Sequence, residues 1–245
     1  MSDVLWLYAA GVLAGVVSVV ASLASLVSYP ALLALGLGPL AANVTNTTAL
    51  VFVGFGAAAG SRPELSGQRA RLVRFGLLNA AGGAIGAVLL LLTPESAFEA
   101  AVPWLIAGAS LVLLRRPRPQ PEAGREHSRL LRFGLLAVAV YTGYFGAAGG
   151  VLVLAVLTAL LDQPLARSIA MKNVISSAAN AVAALTFALF GPVHWTAVVP
   201  LALGFFTGGW IGPAVVRRLP DGPLRVFIAV CGLGVAVKLG LDAYG

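Results

Sequence analysis

Lys172 lies in a long apolar stretch and is accompanied by polar side chains at helical spacing. Residues 170–180 read Ala-Met-Lys-Asn-Val-Ile-Ser-Ser-Ala-Ala-Asn. Lys172 and Ser176 are four residues apart, and Asn173, Ser176, Ser177 and Asn180 also recur at intervals of three and four, so each set shares a helix face. That face offers a cation, amides and a hydroxyl but no carboxylate. The pattern is suited to binding an oxyanion.

A snorkelling lysine is the alternative interpretation of Lys172. Its long apolar stem can lie along the helix while the ammonium reaches the membrane surface about two turns away. Lys238 also lies in an apolar run, but close to the C-terminus and without polar neighbours on its helix face. Snorkelling therefore explains Lys238, whereas the polar neighbours of Lys172 favour a binding site, because ionisable residues inside a bilayer are costly.

A second polar cluster opens an apolar segment earlier in the chain. It comprises Asn43, Thr45, Asn46, Thr47 and Thr48. Helix N-capping is one interpretation, since Asn and Thr are preferred caps, but one cap needs only one such side chain. Because helix N-termini also bind anions, both interpretations point to an anion site.

Two separated blocks of the sequence occur twice at nearly the same offset. Residues 32–41 return 125 positions later as 157–166 with six of ten residues identical, and Gly-Gly-Ala-Ile-Gly at 82–86 returns as Gly-Gly-Trp-Ile-Gly at 208–212. The chain therefore consists of one unit written twice, which is typical of transporters whose site lies between the halves. At this offset Lys172 corresponds to Thr47. The residues of the repeated blocks are thus retained in both copies, whereas these polar residues differ between the copies. The paired glycines indicate close helix packing.

The elements that carry these residues are membrane-spanning helices. Hydrophobic residues make up 59% and charged residues 10% of the chain, whereas soluble domains average about 25% charged residues. The runs are continuously apolar and not alternating, which indicates helices and not a barrel. We predict an all-α, multi-pass protein of the cytoplasmic membrane. The net charge of +7 comes from arginines between the apolar runs, so it indicates membrane orientation and not nucleic-acid binding.

Two of the apolar segments are too long for one upright helix. Residues 4–36 and 130–161 exceed the roughly 20 residues that cross a bilayer. Each carries an interruption, serines at 18, 22, 25 and 28 in the first and glycines at 143, 146, 149 and 150 in the second. We expect broken or re-entrant helices, with long tilted helices as the alternative. Matched interruptions mark transporter sites, so Ser25, Gly149 and Gly150 join the candidate substrate contacts.

Loop charges predict the arrangement of the two repeats. We divide the chain into a first repeat at 1–114, a cytoplasmic linker at 115–129 and a second repeat at 130–245. The loop at 61–74 is basic and its repeat counterpart at 191–194 has no Lys or Arg; the loop at 93–99 is acidic and its counterpart at 217–225 is basic. If basic loops face the cytoplasm, the repeats are inverted. Eight plain spans in parallel repeats is the rival arrangement, and it leaves one basic loop on the wrong side.

Other function classes find less support in the residues. An intramembrane enzyme needs an activated nucleophile or a metal cluster, and no histidine or carboxylate accompanies the serines in the apolar runs. We therefore expect neither catalysis, nor a bound metal, nor a cofactor. The expected partners are a small anion and the lipid bilayer, with a homodimer as the assembly to consider. A channel or a structural membrane subunit without a transport cycle stays open as an alternative, and so does a transporter of another small organic anion.

The motifs as a set resemble the TauE/SafE family of sulfite exporters. They are the Asn-x-Thr-Asn-Thr of residues 43–47, the glycine-rich stretch 143–149, Lys172-Asn173 with Asn180, Trp195, and Gly-Gly-x-Ile-Gly. The resemblance covers nearly the whole chain in order. It implies a transporter of sulfur-containing anions, such as sulfite or organosulfonates, built from two homologous halves. The chain departs from the family at Ser22-Leu23-Ala24, where many relatives have three glycines.

Overall fold

The structure, a computed structural model, describes residues 2–114, 128–145, 149–161 and 163–216 and eight further residues between 226 and 241. Within this part, all regular structure is helical. The helices are α1 (Ser2–Ala21), α2 (Ser25–Ala34), α3 (Pro39–Gly60), α4 (Arg62–Leu65), α5 (Arg69–Leu92), α6 (Glu95–Leu114), α7 (Ser128–Phe145), α8 (Gly149–Leu160), α9 (Leu165–Phe190) and α10 (Trp195–Val216). The linker up to residue 127, the basic loop 217–225 and Lys238 lie outside the described residues.

The helical, membrane-spanning fold predicted from the sequence is confirmed. Five of the described helices are long and apolar enough to cross a membrane, and they lie at Asp3–Val20, Pro39–Gly60, Arg69–Leu92, Ala166–Phe190 and Trp195–Val215. Large apolar side chains such as Leu77, Leu189, Phe190 and Trp210 are exposed on them. A water-soluble surface does not expose so many large apolar groups, whereas a lipid-facing one does.

The first long segment is a broken helix. α1 ends at Ala21 and α2 begins at Ser25, and between them Ser22 has a φ of +62°. This left-handed backbone cannot continue a right-handed helix. At its other end α2 stops at Ala34. Gly36, two residues later, has a φ of +83°, and the Leu37 N–H is bonded to Leu32 O, as is usual where a glycine terminates a helix.

The second long segment is interrupted at the matching place. α7 ends at Phe145 and α8 begins at Gly149, with residues 146–148 outside the described part. In a straight helix, Thr142 and Gly149 would be about 10 Å apart along the axis. They are instead so close that a Cβ on Gly149 would collide with Thr142 Oγ1. The chain therefore folds back on itself, and α7 and α8 pack together as α1 and α2 do. The prediction of broken segments is confirmed, and one long tilted helix is excluded.

The two halves interlock through equivalent helix pairs. α10 of the second half packs on α1 and α3 of the first, and α5 of the first half packs on α7 and α9 of the second. α3 and α9 also pack on each other. Exchanging the halves thus reproduces the pattern of contacts, as expected for a duplicated unit.

Repeated glycines allow these crossings. A Cβ on Gly83 would overlap Ala179 of α9, and a Cβ on Gly209 would overlap the carbonyl of Val53 in α3. Both contacts bring two backbones together at a distance that only glycine permits. The prediction that the duplicated glycine pairs serve helix packing is confirmed.

Candidate functional site

A polar cavity lies where the two helix interruptions meet α3 and α9. It holds about 450 Å³ of empty space, its open mouth included. Both halves contribute to the wall. The lining residues are Ser18, Ser22, Ala24, Ser25, Leu50, Val53, Thr142, Gly150, Lys172, Asn173, Ser176, Ser177 and Asn180.

The polar face of α9 predicted from the sequence lines this cavity. Lys172, Asn173, Ser176 and Asn180 all belong to its wall, together with Ser177. They lie near the middle of a helix that runs from Leu165 to Phe190, so helical periodicity alone puts them on one side. Sequence reasoning thus identified the main wall of the cavity.

Lys172 does not snorkel to a surface. Its side chain is 2% exposed, and its ammonium donates to Ser18 O over 3.1 Å and to Ser22 Oγ over 2.6 Å. Both acceptors belong to the first half, at the end of α1 and in the break that follows. Among the described lining residues there is no Asp or Glu, so the cavity combines a buried cation with neutral polar groups.

Several buried polar atoms in the cavity have no partner among the described residues. They are Asn173 Nδ2, Ser176 Oγ and Asn180 Oδ1, and the side chains of Asn173 and Asn180 are 6% and 8% exposed. Nearly all buried polar groups in proteins are hydrogen-bonded, and exceptions call for an explanation such as a ligand. An amide donor and a hydroxyl beside an ammonium match the oxygens of an anion.

Two helices begin at the cavity wall. α2 begins with Ser25 after Ala24, and Gly150 lies in the first turn of α8; all three residues line the cavity. The first N–H groups of a helix lack acceptors within it and carry a partial positive charge. Such helix starts favour an anion, particularly where glycine allows close approach to the backbone.

The two interruptions touch each other beside Lys172. A Cβ on Gly150 would lie 2.8 Å from Ser22 Cβ and 3.5 Å from Lys172 Cδ. Gly149, also predicted as a substrate contact, packs against Thr142 and does not line the cavity. Of the two predicted glycines, Gly150 therefore reaches the site and Gly149 supports it.

The structure places the predicted cluster of α3 next to the cavity and not in its wall. α3 begins at Pro39, so Asn43, Thr45, Asn46 and Thr47 lie inside the helix and do not cap it. All four are buried, whereas the residues of α3 that line the cavity are Leu50 and Val53. The interpretation of this cluster as a helix N-terminus is wrong, because the helix starts one turn earlier.

The α3 cluster joins neighbouring elements. Asn46 forms hydrogen bonds with Ser25 Oγ at 3.1 Å and Ser28 Oγ at 2.6 Å. Asn43 Nδ2 donates to Tyr144 O at the end of α7 over 3.2 Å. Thr45 Oγ1 accepts the His194 N–H over 3.1 Å. The cluster therefore holds the first turn of α2, the end of α7 and the start of α10 in place.

Several lining residues escaped the sequence analysis. Ser18 and Ser22 stood out in the serine cluster of the first long segment but were not assigned to the site. Thr142, Leu50 and Val53 gave no signal, because isolated residues of these types are common in transmembrane helices. Ser177 lay on the predicted face of α9 and could have been included on its spacing.

Comparison with known proteins finds relatives that match nearly the whole chain. The profile of the family described as "Sulfite exporter TauE/SafE" matches residues 7–239. "Probable membrane transporter protein YfcA" of Escherichia coli K12 is 26% identical over 98% of this chain and 90% of its own length. "Probable membrane transporter protein ORF9" of Sinorhizobium is 24% identical over 97% and 92%. A "Probable membrane transporter protein" of Haemophilus influenzae is 26% identical over 96% and 94%.

No solved structure matches the chain significantly. The family match covers almost the entire chain, including both interruptions and all of the cavity lining. The chain is therefore a member of the TauE/SafE sulfite exporter family and a multi-pass membrane transporter.

Proposed function

We propose that the chain is a secondary transporter that exports a small sulfur-containing oxyanion, with the substrate bound in the cavity between the two repeats. One observation carries the proposal. Asn173 Nδ2 and Ser176 Oγ are buried without partners among the described residues, on the same helix face as the ammonium of Lys172. These groups can donate to substrate oxygens while the cation balances the substrate's charge.

The surroundings of the cavity support an anion over a cation. The starts of α2 and α8 contribute partial positive charge, and the described lining offers no carboxylate to hold a cation. Organic anions find an apolar surface as well, since Leu50 and Val53 of α3 belong to the lining. Sulfite and small sulfonates fit this combination, and the family description points to the same class.

The way the two halves share the site supports alternating access. The lining comes from α1, α2 and α3 on one side and from α7, α8 and α9 on the other. A movement of one half against the other would open the cavity first to one membrane face and then to the other. The reversed loop charges support inverted repeats in the cytoplasmic membrane, with the basic loops on the cytoplasmic side.

Substrate contacts are assigned to the residues that line the cavity. These are Ser25, Gly150, Lys172, Asn173, Ser176 and Asn180. The remaining predicted residues, Asn43, Thr45, Asn46, Thr47 and Gly149, receive a supporting role. Asn46 illustrates it, because its amide holds Ser25 at the cavity wall.

A thermal-shift screen of the purified protein tests the proposal. Sulfite, sulfate, thiosulfate and methanesulfonate are added separately, with choline as an organic cation of small size. A ligand that binds only the folded protein raises its unfolding temperature. At a ligand concentration of 100 times the Kd, the free energy of unfolding rises by about 2.7 kcal/mol. We expect sulfite or methanesulfonate to stabilise and choline to have no effect. Stabilisation by none of the sulfur anions would contradict the proposal.

A further inference from the structure

Ser22 is held in an unusual backbone conformation at the centre of the molecule. Among the residues that the structure describes, Ser22 is the only non-glycine residue with a positive φ, which is +62°. The left-handed conformation is unfavourable for an L-residue, whereas glycine adopts it freely. A residue that keeps a side chain at such a position is a candidate for function.

The Ser22 hydroxyl is an acceptor in its contact with Lys172. An ammonium has three donors and no acceptor. In the 2.6 Å contact, Lys172 Nζ is therefore the donor and Ser22 Oγ the acceptor. The hydroxyl proton is not used in this bond. Among the described residues no acceptor receives it, and Ser22 lines the cavity with an exposed fraction of only 8%.

The third proton of Lys172 likewise has no acceptor among the residues that the structure describes. Ser18 O at 3.1 Å and Ser22 Oγ accept two of the three N–H groups. A hydroxyl that accepts from a charged donor becomes a stronger donor itself, because hydrogen bonds in a chain polarise one another. Lys172 and Ser22 therefore present two adjacent donors, one charged and one neutral.

We propose that Ser22 is a substrate-binding residue, whose hydroxyl donates to an oxygen of the transported oxyanion beside Lys172. This inference rests on the proposed function and adds a contact from the first repeat to those from α9. The position of Gly150 supports it, because the start of α8 lies against Ser22 at the same part of the wall. The anion would thus bridge the two interruptions.

Two substitutions separate the hydroxyl from the backbone. Ser22→Ala removes the hydroxyl and keeps the strained φ, whereas Ser22→Gly removes the hydroxyl and relieves the strain. We expect both variants to bind methanesulfonate about 10- to 100-fold more weakly than the wild type, as for the loss of one charge-assisted hydrogen bond. Their stabilities should differ, with Ser22→Gly unfolding at a higher temperature than Ser22→Ala.

Titration calorimetry of the purified full chain measures the affinities for methanesulfonate and for iodide. Iodide responds to the charge of Lys172 but is a poor hydrogen-bond acceptor, so we expect its affinity to change little. Ser66→Ala is the matched control, because Ser66 is an exposed serine between α4 and α5. Unchanged methanesulfonate binding by Ser22→Gly, or equal losses for both anions, would overturn the assignment of Ser22 alone. A wild type that binds no anion would overturn the proposed function as well.

Discussion

The ammonium of Lys172 donates to the carbonyl oxygen of Ser18 over 3.1 Å, so a cation carried by α9 contacts the last turn of α1. A helix C-terminus carries partial negative charge, which stabilises a cation there. The other half has a comparable contact, from Asn43 of α3 to Tyr144 O at the end of α7. In each half a polar side chain thus reaches the end of the other half's first helix, and the two donors, charged Lys172 and neutral Asn43, lie one helical turn apart in the repeat alignment.

Asn173 Nδ2, which is buried without a hydrogen-bond partner among the described residues, leads us to expect opposite effects of a substitution on stability and on binding. Replacing it by leucine removes a buried donor that lacks a partner, which normally costs about 1–3 kcal/mol. We expect Asn173→Leu to unfold at a higher temperature and to bind sulfite or methanesulfonate at least tenfold more weakly. Thermal unfolding with and without the anion measures both effects.

Asn46 is the matched control for this substitution. Its amide is hydrogen-bonded to Ser25 and Ser28, so Asn46→Leu leaves both hydroxyls with fewer partners and should lower the unfolding temperature. A destabilised Asn173→Leu protein with unaltered anion affinity would show that Asn173 is a structural residue.

The glycine contacts between the halves predict a symmetric pair of packing defects. Gly83→Ala and Gly209→Ala each introduce a methyl group against a backbone of the other half, and such overpacking costs about 1–3 kcal/mol. We expect both variants to give less folded protein in detergent, measured by size-exclusion chromatography. Gly108→Ala is the control, since its Cβ meets nothing within 4 Å among the described residues. Normal yields for both variants would argue against the interlocked arrangement.

Helical periodicity explains how much of the site could be predicted from the sequence. Lys172, Asn173, Ser176 and Asn180 lie on one helix, and the geometry of a helix fixes their relative directions. The location of Asn43 and Thr47 depends on where α3 begins and on which helices it meets, and neither follows from spacing. Ser22 was missed as a contact because its left-handed backbone arises from the tertiary fold. A serine in the sequence does not indicate such a conformation.

The order of elements was predictable for a similar reason. Apolar runs of sufficient length must be helices in a bilayer, and the interruptions near Ser22 and Gly149 mark where two of them stop. The packing of α5 on α7 and of α10 on α1 was not predictable. The duplicated glycines indicate a close helix–helix contact, but they do not identify which helix is contacted.

Inverted repeats predict that two basic loops face the same side of the membrane. Cysteines are introduced at Ser66 and at Asp221 in a chain whose native Cys231 is replaced by alanine. We expect a membrane-impermeant maleimide to label both cysteines in inside-out vesicles and neither in right-side-out vesicles. A third cysteine at Ser96, which is exposed at the start of α6, should show the reverse pattern. Labelling of Ser66 and Asp221 positions from opposite sides would refute inversion.

Anion counterflow in proteoliposomes tests the central claim, that Lys172 and its neighbours bind the transported anion. Vesicles are loaded with unlabelled sulfite, and the uptake of labelled sulfite is followed for the wild type, Lys172→Met and Arg69→Gln. Arg69, exposed at the start of α5, controls for the loss of one positive charge. We predict saturable counterflow for the wild type and Arg69→Gln and none for Lys172→Met, with equal amounts of folded protein in the vesicles. Counterflow of wild-type magnitude by Lys172→Met, or flux that internal sulfite does not accelerate, would contradict the account.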